Sequence, residues 1–136
     1  MSASEFIEHA HAHGDRVYWL GTMKGFGITS DERQEGMHIL SYIKDGSDPS
    51  DLRGREITIV TFRGSTSVEG NRPFSAGSEI STSVTASGLV VQYDKASMMS
   101  EVISINGSSS KVSIHYIVAQ PLQTLIDNAM ALRVAN

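Results

Sequence analysis

The chain has 136 residues, of which 40% are hydrophobic and 19% charged; this composition predicts one domain over residues 1–136 with a folded core, and excludes a disordered chain. It contains no cysteine, which excludes a disulfide framework, thiolate metal sites and a cysteine nucleophile. Eleven basic against fifteen acidic residues give a net charge of −4, which argues against a general nucleic-acid-binding surface, so we predict no nucleic-acid partner.

The amino-terminal third of the chain predicts one helix and two strands. Apolar residues at helical intervals favour an amphipathic helix over 3–13. A strand over 16–22 follows, and because both of its faces are largely apolar, we expect it to be central in a sheet. The polar segment 30–35 is predicted as one helical turn or a loop, and 37–44 as a second strand.

The rest of the chain has the alternating pattern of β-strands and ends in a helix. We predict strands over 55–63, 79–86, 89–94, 100–106 and 111–118. Asn106-Gly107 is typical of the tight turn that would close the last two strands into a hairpin. Pro121 can start a helix, which the apolar stripe continues to about Arg133. Long surface loops are predicted over 45–54 and 64–77.

This order of a helix, six or seven strands and a second helix predicts an α+β fold. We expect a curved, mainly antiparallel sheet with the N- and C-terminal helices packed on one face. Each helix has a single apolar stripe, and both stripes are buried if the helices lie on the same side. The other face of the sheet is expected to be solvated or covered by a partner.

Three histidines lie close together at the end of the first predicted helix. Glu5, His9 and His13 are spaced four residues apart and would line one flank of that helix. Two imidazoles and a carboxylate suit Zn²⁺ or another divalent ion if a further ligand comes from elsewhere. We favour the alternative, a solvated flank with His13 in the last turn, where a protonated imidazole interacts well with the helix dipole.

Two further histidines are candidates for acid–base chemistry. His38 shares a predicted strand face with Leu40, and His115 shares one with Ser113. No serine-nucleophile motif accompanies either of them, so we favour structural roles. The alternative is a small-ligand pocket between the sheet and the helices. The residues predicted to line such a pocket are Trp19, His38, Tyr42, Tyr93, His115 and Tyr116.

The segment 53–72 is rich in arginine. Its members are Arg53, Arg55, Arg63 and Arg72. If exposed, they would form a surface for an anion or an acidic partner, because guanidinium groups pair bidentately with carboxylate or phosphate. The more common alternative is ion pairing with carboxylates of neighbouring strands.

Nothing in the sequence predicts a cofactor, an anchor or a leader. The glycine-rich segment 21–27 matches neither phosphate-binding pattern, so we predict no cofactor. No apolar run approaches the roughly 18–20 residues of a membrane-spanning helix, so we predict no membrane insertion. The start of the chain lacks the features of a signal peptide, which favours the cytoplasm; a secreted or envelope location stays open if a signal peptide was removed.

The segment 5–21 places a short helix and a glycine before the strand Val17-Tyr18-Trp19-Leu20-Gly21. In this it resembles small bacterial domains of uncharacterised function, some of them from envelope proteins, in which a helix leads into a similar strand. The resemblance implies a bacterial origin and a binding role, and it brings no catalytic residues to this chain. The chain lacks the cysteine that a lipoprotein anchor needs.

Two functions from different classes follow. The first is a non-catalytic binding or interaction module that uses an exposed face or edge of the sheet for a protein partner or for self-association. The second is a small-ligand-binding domain or small enzyme in which His38 or His115 acts in a pocket. The sequence favours the first, because it contains no recognisable nucleophile motif. A deep pocket in which either histidine converges on a tyrosine or aspartate would favour the second.

Overall fold

The computed structural model describes residues 3–48, 50–64, 79–107 and 110–135. Its helices are α1 (Ala3–Ala12) and α2 (Leu122–Ala131), and a 3₁₀ turn covers Leu52–Gly54. The strands in chain order are β1 (Tyr18–Trp19), β2 (Phe26–Gln34), β3 (Met37–Lys44), β4 (Arg55–Arg63), β5 (Ile80–Val84), β6 (Val90–Asp94), β7 (Met99–Asn106), β8 (Ser110–Pro121) and β9 (Arg133–Val134). None of the described helices is long and apolar enough to cross a membrane.

Seven of the strands form one antiparallel sheet in the order β2-β3-β4-β8-β7-β6-β5. Two meanders, one of β2 to β4 and one of β5 to β8, are joined where β4 pairs with β8. A second sheet consists of β1 and β9 alone. The predicted α+β fold, with an antiparallel sheet of six to seven strands between two terminal helices, is confirmed.

Both helices pack on one face of the main sheet, which we call the covered face. Because side chains alternate along a strand, the register places Leu40, Ile59, Ile114 and Ile103 side by side on this face across β3, β4, β8 and β7. All four are buried. The residues that the helices bury in the same core are Phe6 and Ala10 from α1 and Leu125 and Ala129 from α2.

The opposite side, which we call the open face, carries the intervening residues of the same strands. Ser41, Thr58, His115 and Val102 lie in register across β3, β4, β8 and β7. Neither of the described helices packs on this face. The fold therefore separates an apolar core on one side from a mixed hydroxyl and aliphatic surface on the other.

The strand predicted over 16–22 is wrong in extent and in place. Only β1 is extended there, and it pairs with β9 outside the main sheet. Val17 and Tyr18 are buried because this segment lies over the covered face, where the Tyr18 N–H donates to Thr61 Oγ1 (3.3 Å). A segment apolar on both sides is thus explained by burial between layers rather than by a central strand.

The prediction of a helical turn or loop over 30–35 is also wrong, because residues 30–34 belong to β2. This strand forms one edge of the main sheet, and an edge strand tolerates charged side chains because one side of it meets solvent. The other predicted elements are present, and those over 37–44 and 55–63 coincide with β3 and β4. From residue 65 onward, the predicted loop 64–77 lies outside the described residues.

Candidate functional site

A group of ionisable side chains lies beneath α1, and we call Asp15, His38, Glu32, His9 and Arg63 the ionic cluster. The Asp15 carboxylate accepts hydrogen bonds from Nε of Arg63 and from its Nη2 (2.9 Å), and Asp15 Oδ2 lies 2.7 Å from His38 Nε2. On the other side of the ring, His38 Nδ1 lies 3.4 Å from Glu32 Oε2. That oxygen lies 2.6 Å from His9 Nε2.

Several separate parts of the chain hold the ionic cluster in place. His9 comes from α1, and Asp15 from the turn after it, where the Asp15 N–H donates to Ala10 O (2.9 Å). Glu32 and His38 face each other in the register of β2 and β3, and Arg63 ends β4. The cluster therefore ties the first helix to three strands of the main sheet.

Arginine sets the charge of the central carboxylate. Hydrogen bonds from Arg63 lower the pKa of Asp15 from its ordinary value of 3.8 to about 2; burial opposes this effect and the hydrogen bond from His38 adds to it. The Asp15 carboxylate in turn raises the pKa of Arg63 above its ordinary value. Asp15 is thus a permanent negative charge at neutral pH.

The geometry of the ionic cluster fits a structural role. The histidine converges on an aspartate, as the enzyme hypothesis requires, but the ring lies buried under α1. His38 is only 1% exposed, and the Phe6 ring meets it edge to face at 5.8 Å. A general base must reach the proton that it abstracts, and this ring has no surface to offer a substrate.

His115 lies on the open face. Its Nε2 lies 2.9 Å from the Oγ of Ser113, two residues earlier on the same strand face. Contact with the sheet removes water from the ring, and this burial lowers the pKa of His115 below its ordinary 6.5. The neutral ring can therefore accept a hydrogen bond from Ser113. Its partners across the sheet, Thr58 and Val102, supply no acid to orient the imidazole as a catalytic base.

Two of the three tyrosines predicted to line a pocket, Tyr42 and Tyr116, are buried core residues of the covered face. The Tyr42 hydroxyl donates to Gly21 O (2.7 Å) and accepts from the Leu20 N–H (2.9 Å), which fixes the segment after β1. The Tyr116 hydroxyl accepts from Asn128 Nδ2 of α2 (2.8 Å). Burial raises the pKa of both phenols. Each hydroxyl holds an element against the sheet.

Trp19 and Tyr93 are partly buried against the same core. They therefore lie, like His38 and the two buried tyrosines, on the helix side of the sheet. His115 points from the opposite face. The structure accordingly does not bring the six predicted ligand-binding residues together.

The predicted arginine surface is divided among separate places. Arg63 belongs to the ionic cluster, and Arg53 is exposed, with its Nε 3.1 Å from Asp51 Oδ1. Arg55 is partly buried on β4, and Arg72 lies outside the described residues. The carboxylate partners of Arg63 come from turns and not from a neighbouring strand: Asp15 lies in the turn after α1, and Glu35, whose Oε1 is 3.5 Å from Arg63 Nη1, lies in the turn between β2 and β3.

An open hollow of about 580 Å³ lies beside Arg53 between the β3–β4 connection and the start of β4. Its lining mixes basic with acidic side chains, and Asp51 already pairs with the arginine. The hollow therefore offers no concentrated charge of one sign for an anion.

The predicted metal ligands are placed as follows. His9 is engaged with Glu32, and the rings of His9 and His13 lie 4.6 Å apart. Glu5 is on the same helix, α1. Within residues 3–48, 50–64, 79–107 and 110–135, no three histidine, aspartate or glutamate side chains are grouped so that they could hold a metal ion.

The open face and the adjoining edge of the sheet expose aliphatic side chains. Val84 is 62% exposed and Ile80 is 42% exposed, both on β5, and Val102 and Ile117 are exposed nearer the middle of the sheet. Strand β5 is the last strand of the main sheet. The alternation of β5 is visible in the sequence, but the order of the strands is not, so the sequence alone does not show that the apolar side of β5 faces solvent.

No family model, curated protein or solved structure matches this chain.

Proposed function

We propose that this domain is a non-catalytic interaction module that binds a protein partner through the edge of its sheet, by addition of a β-strand to β5. The observation that carries the proposal is that β5 ends the sheet with its outer side unpaired among the described residues, while Ile80 and Val84 are exposed there. An unpaired strand presents a row of N–H and C=O groups that another strand can bind.

The hydrogen bonds between β5 and β6 define which backbone groups are available. The Lys95 N–H donates to Glu79 O (2.8 Å), and the Thr85 N–H donates to Leu89 O (2.9 Å). In an antiparallel pair, hydrogen-bonded and non-hydrogen-bonded positions alternate, so residues 79, 81, 83 and 85 bond to β6. The backbone groups of residues 80, 82 and 84 therefore point away from the sheet, at the spacing that a new strand needs.

The chemistry of β5 also supports strand addition. Edge strands of natural proteins are commonly protected by charged residues or proline, which discourage pairing. Strand β5 reads Ile-Ser-Thr-Ser-Val and contains neither. At the other edge, β2 carries Asp31 and Glu32, so the two edges differ in the way expected if only β5 is used for binding.

The proposal extends to origin. The short resemblance in the segment 5–21 supports a bacterial protein with a binding role.

The test compares variants of one outward-facing position. Thr82→Pro removes an N–H that makes no bond to β6, so it blocks an added strand and leaves the sheet's own ladder intact. Thr82→Val is the matched control, because it keeps the N–H and the β-branched shape. Partners recovered with the full chain as bait are purified and titrated by calorimetry against each variant.

We expect a true partner to bind wild type and Thr82→Val within about twofold of each other, and Thr82→Pro at least about tenfold more weakly, since one backbone hydrogen bond is lost and the proline ring obstructs the added strand. Circular dichroism confirms that both variants are folded. A purified partner that binds Thr82→Pro as tightly as wild type would show that the edge is not the binding site.

A further inference from the structure

We propose that the strand added to β5 is β5 of a second copy of this chain, so that the two sheets continue into one another across a two-fold axis at Thr82. This inference rests on the proposed function and names the partner of the same edge. Symmetric self-pairing requires that each residue of the strand be complementary to the residue it meets on the second copy, because an isologous interface joins residue i to residue j and residue j to residue i.

The sequence of β5 has this property. An antiparallel arrangement centred on Thr82 places Ile80 opposite Val84 of the second copy and Ser81 opposite its Ser83. Each aliphatic side chain thus meets an aliphatic one, and each serine meets a serine. No charged residue lies within β5, so two chains of net charge −4 meet without like charges opposed along the strand.

Backbone geometry selects the same register. In an antiparallel pair, residues directly opposite each other are either both hydrogen-bonded or both not. Centring on Thr82 sets three outward-facing positions, 80, 82 and 84, against the same three of the second copy, and each such pair exchanges two hydrogen bonds. A symmetric register centred on residue 81 or 83 leaves one outward-facing residue of each copy without a partner.

Successive side chains of β5 point to opposite faces of the sheet: those on one face hydrogen-bond within the chain, and those on the other are exposed. Ser81 and Ser83 hydrogen-bond to the Tyr93 hydroxyl, and these contacts, that of Ser81 first, lower the pKa of Tyr93. Ile80 and Val84 project from the other side and are exposed, with Thr82 exposed between them. Self-pairing would bury the two aliphatic side chains and leave the serine contacts undisturbed.

The test is a charge swap read by sedimentation equilibrium over a range of concentrations. Wild type is expected to approach twice 14.7 kDa as concentration rises. In the variant Ile80→Lys with Val84→Lys, lysines oppose lysines, and we expect a monomer. In the variant Ile80→Lys with Val84→Glu, each introduced lysine faces the introduced glutamate of the other copy, and we expect the dimer to return with an affinity that salt weakens.

The charge swap distinguishes the proposed arrangement from others. Parallel in-register pairing would set like charges against each other in both variants, lysine against lysine at position 80 and either lysine or glutamate against itself at position 84. A monomeric lysine–glutamate variant therefore overturns the antiparallel register. A dimer that persists in the lysine–lysine variant shows that copies associate elsewhere. A wild type that is monomeric at its highest soluble concentration overturns self-pairing. The proposal that β5 binds a partner strand is tested separately, by whether Thr82→Pro abolishes the binding of a different protein.

Discussion

Replacement of Asp15 by asparagine tests the ionic cluster, because it removes the central charge and keeps the shape of the side chain. The Asp15 carboxyl has a pKa of about 2 in the folded chain against an ordinary 3.8. Each pKa unit corresponds to about 1.4 kcal/mol, so ionised Asp15 stabilises the fold by about 2.5 kcal/mol at neutral pH. Arg63 is partly exposed and regains water in the variant, so we expect a loss of about 2–3 kcal/mol in the free energy of unfolding.

The contribution of Asp15 to the free energy of unfolding should decrease at low pH. Because the folded pKa of Asp15 lies below the unfolded one, the stabilisation is fully present above about pH 4 and is lost as pH falls through the folded value of about 2. The titration of Asp15 itself should therefore leave the difference in unfolding free energy between wild type and Asp15→Asn unchanged from pH 7 to 5. That difference should narrow between pH 4 and pH 2, where wild type loses the charge that the variant never had.

The assay is urea unfolding followed by fluorescence of Trp19, the single tryptophan of the chain, at several pH values. The control is Asp127→Asn, an exposed aspartate on α2 whose carboxylate accepts only from Gln123 among its described contacts (2.8 Å). We expect the control to differ from wild type by less than about 0.5 kcal/mol. A loss of that small size in Asp15→Asn, or a loss that grows as the pH is lowered from 4 to 2, would refute the reasoning.

Three other predictions concern single groups. Tyr42→Phe should lower the free energy of unfolding by about 1–3 kcal/mol in urea titrations, because its buried hydroxyl bridges two backbone groups. Gly21→Ala should lower the melting temperature by calorimetry, because residue 21 has a φ of +78° and an added Cβ would overlap the guanidinium of Arg133. In an NMR titration, the midpoint of His115 should lie below 6.5 and should stay there in Ser113→Ala, because the cause is burial of the ring and not the serine hydrogen bond.

Sequence patterns predicted the fold where local alternation and tertiary position agree. The strands over 37–44 and 55–63 were predicted to the residue, because both segments are rich in the β-branched and aromatic residues that favour strands, and polar residues follow each of them. The predictions over 16–22 and 30–35 were wrong because each local pattern is compatible with two positions in the tertiary structure. An apolar segment can be a central strand or a layer above one, and a charged segment can be a loop or an edge strand.

The candidate site was less predictable than the fold. His38 was identified, but its partners Asp15 and Glu32 come from a turn and from a segment predicted as loop or helix. Nothing local marks Asp15 as buried; only the meeting of α1 with the end of β4 makes it the partner of Arg63. Alternation along β5 was visible in the sequence, whereas its exposure depends on strand order, which no local pattern encodes.

The way in which β5 is attached to the rest of the sheet affects the energetics of the binding proposed at this edge. Strand β6 pairs with β7 at only two positions, Val90 with Asn106 and Val91 with Ile105, whereas β7 and β8 pair along most of their length. Among the described residues, β6 therefore has no pairs with β7 beyond Val91, and fewer backbone hydrogen bonds hold the outer part of the β5–β6 hairpin to the sheet. A strand bound along β5 would order this hairpin, and some of the binding free energy would be used for that ordering. Binding at this edge should accordingly be readily reversible, which suits a regulated contact better than a permanent one.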